Sequence, residues 1–211
     1  AILSTLDHYI NQYPNGLYIT NVLALKADVQ LKSKSYLAAA QTFELVASKG
    51  AGSIQEKSIA AAAKLYFNDL KDYTTASRCY KKLNEVTNNP SIQLDALRGV
   101  VRSFYHVQNF QESAEWVSKL LNHQSVSKED SALSYLLLGY SEQEKKEYQQ
   151  SNKYFLAALS SSSVSIGAEA RYQIANNHFF NENFVDAEKE AIGTIENGGS
   201  NEKWITKAYI L

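Results

Sequence analysis

The sequence predicts an all-α fold, a solenoid of stacked antiparallel helix pairs, and three observations support this prediction. Helix breakers are scarce, with 9 glycines and 2 prolines in 211 residues, so long helices are expected. An aromatic-centred pattern recurs at intervals of 37, 37, 38 and 36 residues, a period typical of helical repeat arrays. Within each copy, the apolar positions have the spacing of one helix face.

Each copy begins with an aromatic residue, called its anchor. The anchors are Tyr36, Tyr73, Phe110, Tyr148 and Phe184. Small residues follow three positions later, at Ala39, Ala76, Ser113, Ser151 and Ala187. Residues three positions apart lie on the same face of a helix. The residue before each anchor is Ser35, Asp72, Asn109, Glu147 or Asn183. Four of these five are good N-cap types, so each anchor is expected to begin a helix and to be largely buried.

Each anchor helix, helix B of its repeat, follows a second amphipathic stretch, helix A. The predicted order is helix B of a preceding repeat at 1–16, helix pairs at 17–52, 53–90, 91–127, 128–165 and 166–200, and helix A of a sixth repeat at 201–211. The serine run at 160–163 is expected to be a loop between helices. Both ends of the chain fall inside helical patterns, which suggests an excised piece. Part of the apolar face around Trp204 is then expected to be exposed, or covered by a partner or a second copy.

These residues resemble the tetratricopeptide repeat (TPR) family. In the fourth repeat the matching residues, at positions 8, 17, 24 and 27 of the TPR pattern, are Gly139, Tyr148, Phe155 and Ala158. In the first repeat those at positions 8, 17, 20 and 24 are Ala27, Tyr36, Ala39 and Phe43. The second repeat carries one extra residue before Tyr73, because Ala63 suits position 8 better than Lys64. The resemblance implies a right-handed superhelix with a period of 36–38 residues.

Two stretches resemble multi-repeat TPR proteins of the Gram-negative cell envelope, of the Tol-Pal coordinator or outer-membrane assembly lipoprotein type. They are "YINQYPNGLY" and "GAEARYQIANNHFF". This resemblance implies a periplasmic or outer-membrane-associated protein, with the cytoplasm as the alternative location.

Composition argues against several classes of function. The formal net charge of -1 and pI near 6.5 lack the basic excess of nucleic-acid binders, and no apolar run approaches the ~20 residues of a membrane span. The single cysteine, Cys79, allows no internal disulfide and is expected in the core. We find no catalytic, metal-ligand or phosphate-loop motif, so no enzymatic activity, metal or cofactor is predicted.

The TPR resemblance places certain helix A positions on an inner, concave wall. In the third repeat these include Arg98, Arg102, Tyr105 and His106. In the fourth and fifth repeats they include Tyr140, Tyr172, Asn176 and Phe179. Arg98, Arg102 and His106 are spaced by four and would form one stripe. The hypothesis is a basic groove with aromatic walls that binds an acidic peptide or protein segment. Alternatively, the arginines pair with neighbouring acids and the aromatic residues belong to the core.

The sequence therefore predicts a non-catalytic protein-binding scaffold in a bacterial envelope complex, with oligomerisation through the end repeats a further option. Two alternatives remain. One is the helical arm of a larger envelope enzyme, such as a lytic transglycosylase. The other is a solenoid that binds glycan or lipid.

Overall fold

The computed structural model describes residues 2–161 and 164–211. These residues form twelve α-helices and one π turn, without strands. The chain divides into two compact units, which we call unit 1 (Ala1–Val107) and unit 2 (Gln108–Leu211).

Unit 1 contains six helices and the π turn. They are α1 (Ile2–Gln12), α2 (Ile19–Lys32), α3 (Tyr36–Lys49), α4 (Ser53–Lys64), the π turn (Leu65–Asp69), α5 (Tyr73–Val86) and α6 (Pro90–Val107). Each helix packs against the next one along the chain.

Unit 2 contains the other six helices. They are α7 (Phe110–Leu121), α8 (Lys128–Glu144), α9 (Tyr148–Ser161), α10 (Val164–Phe180), α11 (Phe184–Asn197) and α12 (Glu202–Ile210). Sequential helices again pack in pairs, and α10 also contacts α8 and α12. The predicted architecture of antiparallel helix pairs is thus confirmed.

All five anchors begin helices, as predicted, at the first residues of α3, α5, α7, α9 and α11. Their burial is uneven. Phe110 is buried, whereas Tyr36, Tyr73 and Tyr148 are half-buried. Phe184 is 58% exposed, so the expectation that it is largely buried is wrong. Its ring lies at the edge of an apolar groove and contacts Phe179 at 5.6 Å between centroids.

The turn before each anchor has a shared backbone conformation. The residue two positions before the anchor has a positive φ of 55–63° at Lys34, Lys71, Gln108, Lys146 and Glu182. At the first of these turns, the Ser35 N–H donates to the Gln30 carbonyl and the Lys34 N–H donates to the Leu31 carbonyl, both at 2.9 Å. This pair of bonds is a Schellman motif, and it recurs at Lys146 and Glu182.

Side-chain caps are fewer than the residue types suggest. The Asp72 and Asn109 side chains accept hydrogen bonds from the N–H groups of Thr75 and Glu112. Ser35 and Asn183 make no side-chain cap bond.

Two smaller predictions have opposite outcomes. Cys79 is buried, with 2% exposure, as expected. The loop predicted for the serine run is wrong for Ser160 and Ser161, which belong to α9, and serine is only mildly unfavourable in a helix. The remainder of that run, residues 162–163, lies outside the described residues.

The last helix is half covered. Trp204 and Ala208 are buried at 7% and 4% exposure, whereas Tyr209 and Ile210 are 71% and 80% exposed. The expected partial exposure of this apolar face is therefore confirmed.

Candidate functional site

A cavity of about 280 Å³ lies in unit 1 beside the π turn. It is lined by Lys64, Phe67, Asn68, Tyr80, Asp95, Arg98, Gly99 and Arg102. Four elements contribute to it: the end of α4, the π turn, α5 and α6. Two of the predicted site residues, Arg98 and Arg102, therefore do share one concave surface.

The π turn follows from the extra residue that the sequence indicates before Tyr73. Ala63 is fully buried, while Lys64 is exposed, as position 8 of the repeat requires. The Leu70 N–H donates to the carbonyl of Leu65, five residues earlier, at 3.0 Å. The wider turn accommodates one additional residue without breaking the helix. It brings Phe67 and Asn68 to the cavity.

The floor of the cavity lies where α5 and α6 approach each other closely. Gly99 on α6 faces the ring of Tyr80, and a Cβ atom at this position would overlap with that ring. Tyr80 is 8% exposed, and its burial raises the pKa of its hydroxyl. The phenol therefore stays neutral and supplies a polar edge to an otherwise aromatic floor.

The lining carries more positive than negative charge. Its bases are Lys64, Arg98 and Arg102, and its acid is Asp95. The Arg98 Nη1 atom lies 3.5 Å from the Asp95 Oδ1 atom, and the Asp95 side chain is 63% exposed. The Arg98 side chain is 28% exposed, so this ion pair is only partly open to water.

His106 departs from the predicted stripe, because it is not among the cavity-lining residues. Its ring stacks on Tyr73, with centroids 4.1 Å apart and planes 10° apart, and meets Phe67 and Tyr105 edge-on. Partial burial and the nearby charge of Lys71 lower its pKa. The imidazole is therefore neutral at neutral pH, and it acts as an aromatic packing group.

The other candidates lie in unit 2. The Tyr140 ring stacks on Phe110, with centroids 4.5 Å apart, and its hydroxyl donates to Glu169 Oε1 at 2.5 Å. Tyr172 is half-buried, with its ring centroid 5.5 Å from that of Trp204, and burial raises its pKa. Asn176 is half-buried, and Phe179 is 40% exposed. Of the four predicted residues in unit 2, Phe179 presents the most open surface.

Unit 2 contains a buried polar ladder that the sequence pattern does not predict. Glu169, Gln173 and Asn177, spaced by four along α10, are 6%, 6% and 0% exposed. Gln173 Nε2 donates to the Tyr140 hydroxyl at 3.0 Å. Asn177 accepts from Gln143 Nε2 at 2.6 Å. The spacing of four was visible in the sequence, but polar residues on a helix are ordinarily assigned to its solvent-facing side.

Asn177 also connects the ladder to the neighbouring helix. Its Nδ2 atom donates to Ser151 Oγ at 2.9 Å and to Asn152 Oδ1 at 2.7 Å. Ser151 Oγ donates in turn to the Gly139 carbonyl at 2.8 Å. The ladder therefore links α8, α9 and α10, and it has a structural role.

The described residues contain neither a candidate metal site nor a candidate membrane-spanning helix. No group of three or more His, Cys, Asp or Glu side chains is placed to hold a metal ion. No helix in the described ranges is both long and apolar enough to span a bilayer.

Comparison with known proteins shows the fold. No protein-family model matches the sequence, and no curated protein is significantly similar to it. A MamA RS-1 ArsTM double mutant superposes with a TM-score of 0.63 at 11% identity, covering 87% of this chain and 97% of that one. MamA 41-end from Desulfovibrio magneticus RS-1 gives a TM-score of 0.62 at 11% identity, covering 84% and 93%.

A third structure is the C-terminal part of a TPR repeat-containing protein from Cytophaga hutchinsonii. It gives a TM-score of 0.44 at 12% identity, covering 97% of this chain and 92% of that one. At 11% identity the two MamA structures show a shared fold of stacked helices, and fold alone does not assign a function.

Proposed function

We propose that this protein is a non-catalytic interaction scaffold that binds an acidic segment of a partner protein in the unit 1 cavity. The observation that carries the proposal is the lining of that cavity, with three basic side chains, one acid and an aromatic floor. A TPR-like array supports the proposal because arrays of this kind present extended surfaces suited to other chains.

The polar and aromatic lining groups have different parts in the proposed interaction. Arg98 and Arg102 present planar guanidinium groups that can bind a carboxylate with two hydrogen bonds. Phe67, which is half-buried, offers an apolar surface to the stem of the bound side chain. Asn68 can hydrogen-bond the backbone of an extended segment. Asp95, whose side chain is 63% exposed, can turn toward water when an acidic segment binds.

The test is a charge reversal in the cavity. The double variant Arg98→Glu and Arg102→Glu should lose partners captured from an extract of the source organism, as identified by mass spectrometry. Loss of a single charge-assisted contact typically costs about 1.5–3 kcal/mol of binding, so the double variant should bind at least tenfold more weakly. Far-ultraviolet circular dichroism should remain helical.

A matched control reverses two other exposed charges of unit 1. The variant Lys32→Glu and Lys57→Glu changes the net charge equally, and neither lysine lines the cavity. It should keep the partners. If both double variants lose the same partners, binding depends on overall charge and the cavity proposal is wrong.

We also propose a periplasmic or outer-membrane-associated location in a Gram-negative cell. The two envelope-like sequence stretches support it. Fractionation of cells, with antibody detection in periplasmic, membrane and cytoplasmic fractions, tests it, and recovery in the cytoplasm alone would refute it.

A further inference from the structure

Two arginines of the unit 1 cavity are spaced to bind two separate carboxylates. Arg98 and Arg102 both line the cavity and lie four residues apart on α6. Four residues turn a helix by about 40° beyond a full turn and advance it by about 6 Å, so the two side chains leave α6 in similar directions. Gly99, on the same wall, adds no side chain. The α6 wall therefore offers two guanidinium positions in a row along the helix.

The charge of the lining indicates how many acidic groups the cavity can bind. Its bases are Lys64, Arg98 and Arg102 and its acid is Asp95, which leaves a net charge of +2. One bound carboxylate would leave one of these positive charges without a counter-charge, whereas two would neutralise the lining. Opposite charges attract strongly where water is partly excluded. Two acidic side chains therefore match the cavity better than one.

The wall formed by α4 and the π turn offers groups for the backbone of a ligand. Lys64 and Asn68 are exposed, and within the described residues neither side chain makes a hydrogen bond or an ion pair. The Asn68 amide can donate to a carbonyl and accept from an N–H group. The backbone groups of a helical ligand are already bonded to one another, whereas those of an extended ligand are available. This wall therefore favours an extended segment.

An extended segment matches the two arginines only when its acids are two residues apart. Successive side chains of an extended chain point to opposite sides, and alternate ones point to the same side about 6.6–6.8 Å apart. That separation is close to the advance of about 6 Å between Arg98 and Arg102. Acids on adjacent residues would point away from each other, and acids four residues apart would be separated by about 13 Å.

We propose that the segment bound in the unit 1 cavity is extended and has the pattern acid-x-acid, where x is any residue, with one carboxylate on Arg98 and the other on Arg102. This inference rests on the binding function proposed above. Two other arrangements use the same arginines. A helix with acids four residues apart also separates them by about 6 Å, but it leaves Asn68 without a backbone partner. A single carboxylate shared by both arginines leaves the lining positively charged.

Three short peptides of identical composition test the spacing. Each contains two glutamates among glycine, serine and glutamine residues, with the glutamates adjacent, two apart or four apart, and both ends blocked. Each carries a neutral fluorophore and is titrated at low salt with the whole 211-residue chain, with anisotropy as the readout. The peptide with glutamates two apart should bind about three- to tenfold more tightly than the others, because it alone contacts both arginines.

Protein variants test the location. Arg102→Gln should remove the preference, so that the three peptides bind within about twofold of one another. Its control, Lys32→Gln, removes an exposed charge outside the cavity lining and should keep the preference. Asn68→Ala should weaken the peptide with glutamates two apart by about two- to fivefold. Its control is Asn88→Ala, which changes an exposed amide outside the lining and should bind normally.

The outcomes separate this proposal from the function on which it rests. A fourth peptide, with glutamine in place of both glutamates, gives the baseline. If the three glutamate peptides bind equally and more tightly than the baseline, the acid-x-acid pattern is wrong, while the acidic-segment function stands. If none exceeds the baseline, that function is itself refuted.

Two further results would overturn the extended conformation. One is tightest binding by the peptide with glutamates four apart, accompanied by a gain of helical circular dichroism, which would identify a helical occupant. The other is unchanged affinity in Asn68→Ala, which would show that the backbone of the ligand is not bound by the π turn.

Discussion

At the scale of single residues, Gly99 sets the distance between α5 and α6. Because a Cβ atom at this position would overlap with the Tyr80 ring, Gly99→Ala should destabilise the protein by about 1–3 kcal/mol from overpacking. The better helix propensity of alanine, about 1 kcal/mol, offsets only part of this cost. Urea unfolding measures the change.

A second variant isolates the cause. In a Tyr80→Leu background the ring is absent, so Gly99→Ala should cost clearly less than in the natural protein, giving a coupling free energy between the two sites. An identical cost in both backgrounds would show that the ring is not what Gly99 accommodates.

His106 makes a contribution to stability that depends on pH. Partial burial and Lys71 lower its pKa below the usual 6.5 in the folded protein, so the unfolded chain binds the proton more tightly. Protonation therefore favours unfolding. Protonation of His106 at low pH therefore lowers the free energy of unfolding. This free energy increases as the pH rises through the folded-state pKa, and the increase is complete above the unfolded-state pKa.

The variant His106→Phe keeps the stack on Tyr73 but cannot be protonated. Its free energy of unfolding should fall less than that of the natural protein between about pH 7.5 and about pH 5. Lys71→Gln should reduce the fall to an intermediate extent, because it removes one cause of the shift. If the natural protein and both variants lose the same stability over this pH range, protonation of His106 is not the cause of the loss.

At the scale of elements, the five turns before the anchors share a strained residue. A left-handed conformation costs a non-glycine residue roughly 1–2 kcal/mol, and here it is adopted by lysine, glutamine and glutamate. Lys146→Gly should therefore stabilise the protein by about 0.5–1 kcal/mol, since the greater freedom of glycine in the unfolded chain cancels part of the gain. Thermal unfolding measures the change.

The neighbouring residue provides the control. Lys145 has φ -80° and lies in the right-handed helical region, so Lys145→Gly should give no such gain. If both substitutions change stability by the same amount, the strain argument does not hold for this turn.

At the scale of the whole molecule, the spacing of residues along the sequence predicts where the helices begin. The anchors fix five helix starts because an aromatic residue after a capped turn is a local signal. The extra residue before Tyr73 indicated an irregularity that the structure accommodates as a π turn. The other contributors to the cavity, such as Tyr80 and Asn68, depend on how α5 and α6 approach one another, and spacing along the chain does not specify that distance.

The polar ladder and Phe184 escaped prediction for a related reason. Polar residues such as Glu169, Gln173 and Asn177 are expected on an exposed helix face. Their burial is favourable here because they form hydrogen bonds with partners on α8 and α9. Phe184 is a large apolar residue at an anchor position, which predicts burial, yet its side chain is exposed to solvent. In each case the burial of a side chain is decided by helices distant in the sequence.

The polar ladder also bears on the fidelity of assembly. A purely apolar interface tolerates rotation of one helix about its axis at small cost, because one aliphatic side chain replaces another. If α10 rotated by one residue against α8, Glu169 would lose the Tyr140 hydroxyl, and Asn177 would lose the Gln143 amide. Unsatisfied buried polar groups cost about 1–3 kcal/mol each. The ladder therefore favours one rotational setting of α10 against α8 and α9 and disfavours the neighbouring settings.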